Sequence, residues 1–226
     1  MSLIYINPYL SPAAPVLPAI GAAFEGGFFA GTISHSFDGV ATHALIVAPR
    51  EFGASGTGYQ IGTLLQWKTT NTTTTGADSP FDGYANTVAM EAAGLANHPA
   101  ANYCRGLTIG GFTDWYLPAR YELDIAYENL KPYASNNSTS WGINDYSVPK
   151  RTVNRTAGTP AQTSVAAFQN GNTEAFALQT HQASTQNNAP SRWSVHFYDG
   201  QQYTDFNAGI TKGFHLMLRA FRRVTL

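Results

Sequence analysis

An α+β domain with two main helices, a small antiparallel sheet and long irregular loops is the fold class that this 226-residue sequence predicts. Three observations point there. The segment "ATHALIVAP" holds a short continuous apolar run stopped by Pro49, the pattern of a buried strand. Two segments, one in "HPAANYCRGL" and one beginning at Pro118, repeat apolar residues at helical spacing. Near the end, "RWSVHFYDGQQYTDF" alternates between two faces around an Asp-Gly pair, the signature of a hairpin.

The elements follow in order. Residues 1–23 read as an extended arm, because Pro8, Pro12, Pro15 and Pro18 fix the backbone and the apolar residues between them need cover from the same or a neighbouring subunit. The arm lacks a basic start and a continuous apolar run, so neither a signal peptide nor a membrane span is expected. Residues 24–226 form the domain proper. After the first strand, "REFGASGTGYQIG" and "KTTNTTTTGADSPFDG" read as loops, and the glycines at 53, 56, 58 and 62 match no phosphate-binding fingerprint. A helix is expected over 87–93, ending at Gly94. In the next, Pro99 suits the first turn and Ala100, Tyr103, Cys104 and Leu107 share a face. The helix from Pro118 carries the stripe Leu123, Ala126, Tyr127 and Leu130 and is stopped by Pro132. Residues 141–172 are polar and weakly periodic, an excursion with little regular structure. In the hairpin, Trp193, Val195 and Phe197 should face inward and Ser194, His196 and Tyr198 outward, with Asp199 and Gly200 as a two-residue turn. "GFHLMLRAFRRV" is then a last strand, with Phe214, Leu216, Leu218 and Ala220 on one side.

Only 12% of residues are charged and the formal net charge is −1, so there is no broad basic field to attract nucleic acid or an anionic membrane. With Cys104 alone there is no internal disulfide, thiolate zinc site or paired-thiol chemistry, and Cys104 itself reads as core. The six histidines show no helical metal-binding pair, "GxSxG" is absent, and no spacing picks out two facing carboxylates among the fourteen acids. Neither a cofactor nor a metal is expected.

The densest stretch is "GGFTDWYLPARYELDIAYENL", residues 110–130. It has two readings. Asp114, Arg120 and Glu122 form a catalytic cluster, or Trp115, Tyr116 and Leu117 are core and Asp114 fixes the turn with a local hydrogen bond. Three large rings beside a Leu-Pro helix start favour the second, since such rings supply most burial per residue.

"GGFTDWYLPARYEL" resembles the signature Gly-Phe-x-Asp-Trp-x-Leu-Pro-x-x-x-Glu-Leu of a bacterial and phage family that includes the C-terminal domain of the Legionella collagen-like adhesin. "ALIVAP", "DGYANTVAM", "HPAANYCRGLTIGGF", "SVP", "AFQNGNTEAF" and "LRAFRRV" resemble the same family in phage and prophage tail proteins, in that order, so the likeness spans about residues 24–224. It implies a C-type-lectin-like fold. Where relatives commonly carry Tyr-Trp-Ser-Ser-Thr, this chain has "HQAST", with His181, Gln182 and Ala183 replacing the first three residues inside a recognisable frame. That pattern is similar to the variable proteins of diversity-generating retroelements, which display a changeable ligand-binding face on a lectin-like scaffold. The carboxylate-amide motifs of calcium-dependent lectins are missing, and so is the cysteine pair of the formylglycine-generating enzymes.

The resemblance implies a non-enzymatic receptor-binding module, on a phage or prophage tail or in the bacterial cytoplasm before assembly. Its expected partners are a host-cell surface protein or glycan, other tail proteins, and further copies of itself in a homo-oligomer, a trimer included. The expected ligand face comprises His181, Gln182, Gln186, Asn187, Asn188, Ser191, Arg192, Tyr203, Asp205 and Asn207. Tyrosine and arginine are favoured anchors at binding surfaces, and Asn, Ser and Gln give adaptable hydrogen bonds. The competing readings are a cell-wall or polysaccharide hydrolase working beside the tail and a purely structural tail component.

Overall fold

The computed structural model describes residues 15–55, 64–204 and 211–226. Asp205, Asn207 and most of the Pro-rich arm lie outside them. The described elements are β1 (Ala23–Phe24), β2 (Gly27–Ile33), β3 (His43–Val47), the single-turn α1 (Arg50–Gly53), β4 (Ala54–Ser55), β5 (Leu65–Gln66), α2 (Gly83–Ala92), α3 (Pro99–Arg105), α4 (Arg120–Leu130), β6 (Ser147–Val148), β7 (Thr180–Gln186), β8 (Arg192–His196), β9 (Gln202–Thr204), β10 (His215–Leu216), β11 (Leu218–Arg219) and β12 (Phe221–Thr225). The fold is thus mixed α and β with antiparallel sheets.

The main sheet runs β1-β2-β3-β12, with β6 also paired to β2. Its pairing of Phe221 with Val47 and Thr225 with His43 brings the last strand against the first buried one. The second sheet is β7-β8-β9. Two short ladders, β5 with β10 and β4 with β11, tie the sequence before α2 to the C-terminal segment.

Two hydrophobic clusters fill the interior, and extended segments supply alternate residues to each. Leu45 and Val47 enter one and Ile46 and Ala48 the other. The dense central stretch does the same: Tyr116 joins the first cluster, Trp115 and Leu117 the second, all fully buried. This is the period-two geometry of a strand buried on both faces. Backbone hydrogen bonds in both directions between Tyr116 and Phe221 lock the stretch to β12. Residues 110–130 are therefore the mould between two cores. Asp114 makes no local bond there; its Oδ1 lies 2.5 Å from Arg222 Nε, across the chain.

The helices agree with their predicted stripes, with boundaries moved by capping. Leu123, Ala126, Tyr127 and Leu130 of α4 are fully buried. The helix starts at Arg120 rather than Pro118, because Ala119 is still extended and its N–H donates to Glu122 Oε2 at 2.7 Å. The helix expected over 87–93 begins a turn earlier, at Gly83, because Asp82 Oδ1 caps the Ala85 N–H at 2.8 Å. Gly83 is required there: a Cβ would lie 2.4 Å from Glu122 Oε2 and 2.5 Å from the Ala119 nitrogen, so only glycine lets the two helix starts touch.

Three expectations at the C-terminal end are corrected. The last strand is broken into β10, β11 and β12, each with a different partner, and Phe214, 49% exposed, does not share the buried side of Leu216, Leu218 and Ala220. Met217, Arg219 and Phe221 are buried as well as Leu216, Leu218 and Ala220, so both faces of this segment are covered. The hairpin exists, but its turn spans 197–200, since the His196 N–H donates to the Gln201 carbonyl.

Candidate ligand-binding site

The predicted ligand residues do not form one outward face. Residues 180–186 are a strand, and His181, Gln182, Ser191 and Arg192 are buried. Their polarity misled because each finds partners inside. His181 packs among Phe176 and Phe197, with Nδ1 3.1 Å from the Gln179 carbonyl. Burial, followed by the cation of Arg219, pushes its imidazolium down to about 3 against the opposing pull of that carbonyl. Gln182 Nε2 donates to the carbonyls of Leu65 and Leu216, and Arg192 reaches those of Thr211 and Phe214. Buried uncharged polar groups are tolerated where they are hydrogen-bonded, so a run such as "HQAST" can be interior without being apolar.

Asn187 and Asn188 are exposed. They shape the β7–β8 turn themselves, Asn188 Oδ1 accepting from the Ser191 hydroxyl at 2.7 Å and Asn187 Nδ2 donating to the same hydroxyl at 3.1 Å. Gln186, half-buried, accepts from the Thr74 N–H at 2.7 Å and from the Lys212 ammonium. Lys212 also donates to the Thr72 carbonyl, and burial together with the neighbouring Lys68 and Arg192 charges pushes it down to about 7.

The remaining candidate, Tyr203, belongs to a cluster that the sequence reading missed. β8 pairs with β9 so that Ser194 opposes Tyr203, which places Tyr203 on the face of Ser194 and His196. The His196 ring lies 6.3 Å from Tyr203 and 6.1 Å from Tyr198, and Tyr198 stacks on Tyr133 at 5.8 Å. Tyr133 and Tyr198 are 41% and 43% exposed, far above what packed core rings show. Alternation had put Ser194, His196 and Tyr198 outward; Tyr198 is exposed and His196 half-buried, but Ser194 is fully buried. Tyr133 carries no signal, because it sits in a loop after Pro132 and only the fold brings it alongside.

This aromatic surface is rigidly held from beneath. Val195 and Phe197 are fully buried, and Phe197 stacks on Phe176 at 4.0 Å. A Cβ at Gly200 would meet the Tyr127 ring at 2.3 Å, and the backbone there has φ +72°, so the turn closes onto α4 only with glycine. The Asp199 carboxylate lies 3.0 Å from His196 Nδ1 and accepts the Gln201 N–H at 3.1 Å. Burial pushes Asp199 up, and these bonds outweigh it and hold the carboxyl below its ordinary range. Beneath the turn, Arg155 donates to the Gly200 carbonyl at 3.0 Å and pairs with Asp124 and Glu128, while Gln202 Nε2 donates to Asp124 Oδ1 at 2.8 Å.

The alternative catalytic grouping of Asp114, Arg120 and Glu122 is not assembled. Asp114 pairs with Arg222; Arg120 lies 3.6 Å over the Trp193 ring, which is half-buried beneath it, and bonds Gln202; Glu122 is enclosed by Tyr116 and Ala119. Cys104 is buried, and burial drives its thiol far above the ordinary range, as a core position does. Among the described residues no group of three or more His, Cys, Asp or Glu is placed to hold a metal ion, and no helix is long and apolar enough to cross a membrane. No family model matches the chain, and no curated protein matches its sequence.

Proposed function

We propose that the chain is a non-catalytic, C-type-lectin-like receptor-binding module of a phage or prophage tail, acting as a homo-oligomer, and that its ligand face is the tyrosine-rich surface of the C-terminal hairpin. The lectin-like reading is supported by a sheet that joins β12 to β3 close to both ends of the domain, by the helices α2 and α4 meeting at their starts, and by the long excursion between α4 and β7. The tail setting rests on the sequence resemblance. The observation that carries the binding reading is the cluster of exposed Tyr133 and Tyr198 with half-buried His196 and Tyr203 on a buried frame. Exposed rings with few rotatable bonds, fixed by packing from below, supply contact area at low entropic cost, as tyrosines do in antibody loops.

The test is adhesion of fluorescently labelled protein to a panel of bacteria that includes the strain carrying the gene. Replacing Tyr133, Tyr198 and Tyr203 together by Ser should abolish adhesion while the thermal midpoint shifts little. Undiminished adhesion by the triple variant, or no adhesion by the wild type to any strain, refutes the proposal.

A further inference from the structure

A second site lies away from the tyrosine cluster and shares no residue with it. Between α4 and the outer edge of β2 is a half-open cavity of about 270 Å³, lined among others by Thr32, Ile125, Glu128, Asn129, Val148 and Arg151. Its origin is a gap in the sheet. On its outer edge β2 carries β1 at Gly27 and Phe28 and β6 at Thr32 and Ile33, and the bulge between Phe29 and Gly31 falls between them. At Gly31, φ +137°, a Cβ would come within 2.5 Å of Asn129 Nδ2 and 2.8 Å of Ile125 Cγ2, so glycine lets the strand close on the helix at this point. Asn129 Nδ2 then donates to the Ala30 carbonyl at 2.7 Å, which fixes the amide's orientation.

The walls differ in chemistry. Ile125, Val148 and Pro149 form an apolar side. On the other side Glu128 Oε2 takes both Arg151 and Arg155, and no hydrogen bond from the described residues reaches Glu128 Oε1 or Asn129 Oδ1. The Arg151 Nη atoms are committed to Glu128 and Asp124. Arg151 Nε has no partner but is itself buried, so the polar groups left open are the two acceptors. Arg151 and Arg155 balance Asp124 and Glu128, so the site has no net charge with which to select an ion of either sign. Its volume is below the roughly 300 Å³ at which drug-sized sites begin, which is room for about one ring.

We propose that this cavity binds one neutral pyranose ring of a glycan, whose hydroxyls donate to Glu128 Oε1 and Asn129 Oδ1 while its C–H face lies on Val148 and Pro149. A hydroxylated ring meets both walls at once: it carries donors along its edge and apolar C–H groups on its face. An ammonium group would satisfy the acceptors alone and gains no net attraction from a site whose charges balance. A carboxylate would face the open oxygen of Glu128.

The experiment is saturation-transfer NMR on the full chain with the methyl pyranosides of glucose, galactose, mannose and N-acetylglucosamine, and with glucuronate and butylammonium as charged controls. At least one neutral pyranoside should show transfer with a dissociation constant in the range of about 1 to 10 mM, as suits a single ring without avidity. The backbone amides of Thr32, Glu128, Asn129 and Val148 should shift on titration. Val148→Phe, which fills the cavity from the edge strand, should weaken binding by at least about tenfold, and the tyrosine triple variant should bind like the wild type. Transfer from none of the four sugars overturns the proposal, as does transfer with amide shifts elsewhere or a stronger response to either charged control. Because the tyrosine variant reads the other site, failure here leaves the hairpin reading standing, and the reverse.

Discussion

Glu122 should make the protein less stable as pH rises, and removing its charge should remove that trend. The carboxyl is fully buried at the start of α4, accepting the Ala119 N–H at 2.7 Å and lying 2.8 Å from the Tyr116 hydroxyl. Burial raises it from its ordinary value of 4.5 to about 8, the two hydrogen bonds working against the shift. Between those values the folded protein keeps a proton that the unfolded chain has released, so stability falls with rising pH, by up to about 1.4 kcal/mol per pH unit. From about pH 5.5 to pH 8.5 the contribution lost is on the order of 3 kcal/mol, a large share of the roughly 5 to 15 kcal/mol that holds a domain together. Glu122→Gln keeps the shape of the protonated acid: its carbonyl can accept from Ala119 while its amide donates to the Tyr116 oxygen. Urea denaturation of both proteins across that window should give a variant-minus-wild-type difference that grows with pH. Taking the difference cancels the other titrating groups. A constant difference would mean that Glu122 is ionised in the folded state throughout, and would refute the account of this helix start.

Three further outcomes follow from the same interior. Trp115→Ala, which empties a fully buried ring site and removes the 3.1 Å bond from its Nε1 to the Phe112 carbonyl, should cost about 3 to 5 kcal/mol in denaturant unfolding. On the acid side, burial holds His43 down at about 4 and His181 at about 3, so the unfolded chain takes up protons first and stability should fall as pH drops below about 6.5; His181→Leu should flatten that limb in thermal scans between about pH 4.5 and 6.5. Asp124→Asn leaves Arg151 and Arg155 facing Glu128 alone and should cost about 3 to 5 kcal/mol, with limited proteolysis cutting first in residues 141–155.

How much of this was legible depends on which forces set each element. The apolar run at 43–47, the stripes of α3 and α4 and the inward Val195 and Phe197 were readable because burial imposes a period on the sequence. The role of residues 110–130 followed from ring size alone, although the alternation of Trp115, Tyr116 and Leu117 between two cores needed the fold. The start of α2 was missed because Asp82 caps it ahead of any apolar stripe. β7 was missed for a different reason. Gln182, Ser184 and Thr185 are interior side chains satisfied by partners as distant in sequence as Leu65, Asn86 and Ser79, and a partner about a hundred residues away leaves no local pattern.

The same distinction explains why the candidate site moved from one side of β8 to another. Polar residues in the last part of the chain suggest exposure only if nothing covers them, and the 211–216 segment lies against Gln182 and Arg192 through backbone carbonyls. What stays at least partly uncovered is set by the hairpin's own geometry: half-buried His196 and Tyr203 share the face opposite Val195, and exposed Tyr198 projects from the turn toward Tyr133. Those rings hang on a frame that does not need them, since Phe197 is held by Phe176 and Gly200 is pressed onto Tyr127. Substitutions at exposed positions of this kind usually shift stability by no more than about 0.5 kcal/mol. A surface that can change its side chains so cheaply, above a turn fixed by a glycine and a buried ion network, is physically suited to changing its ligand without changing its fold.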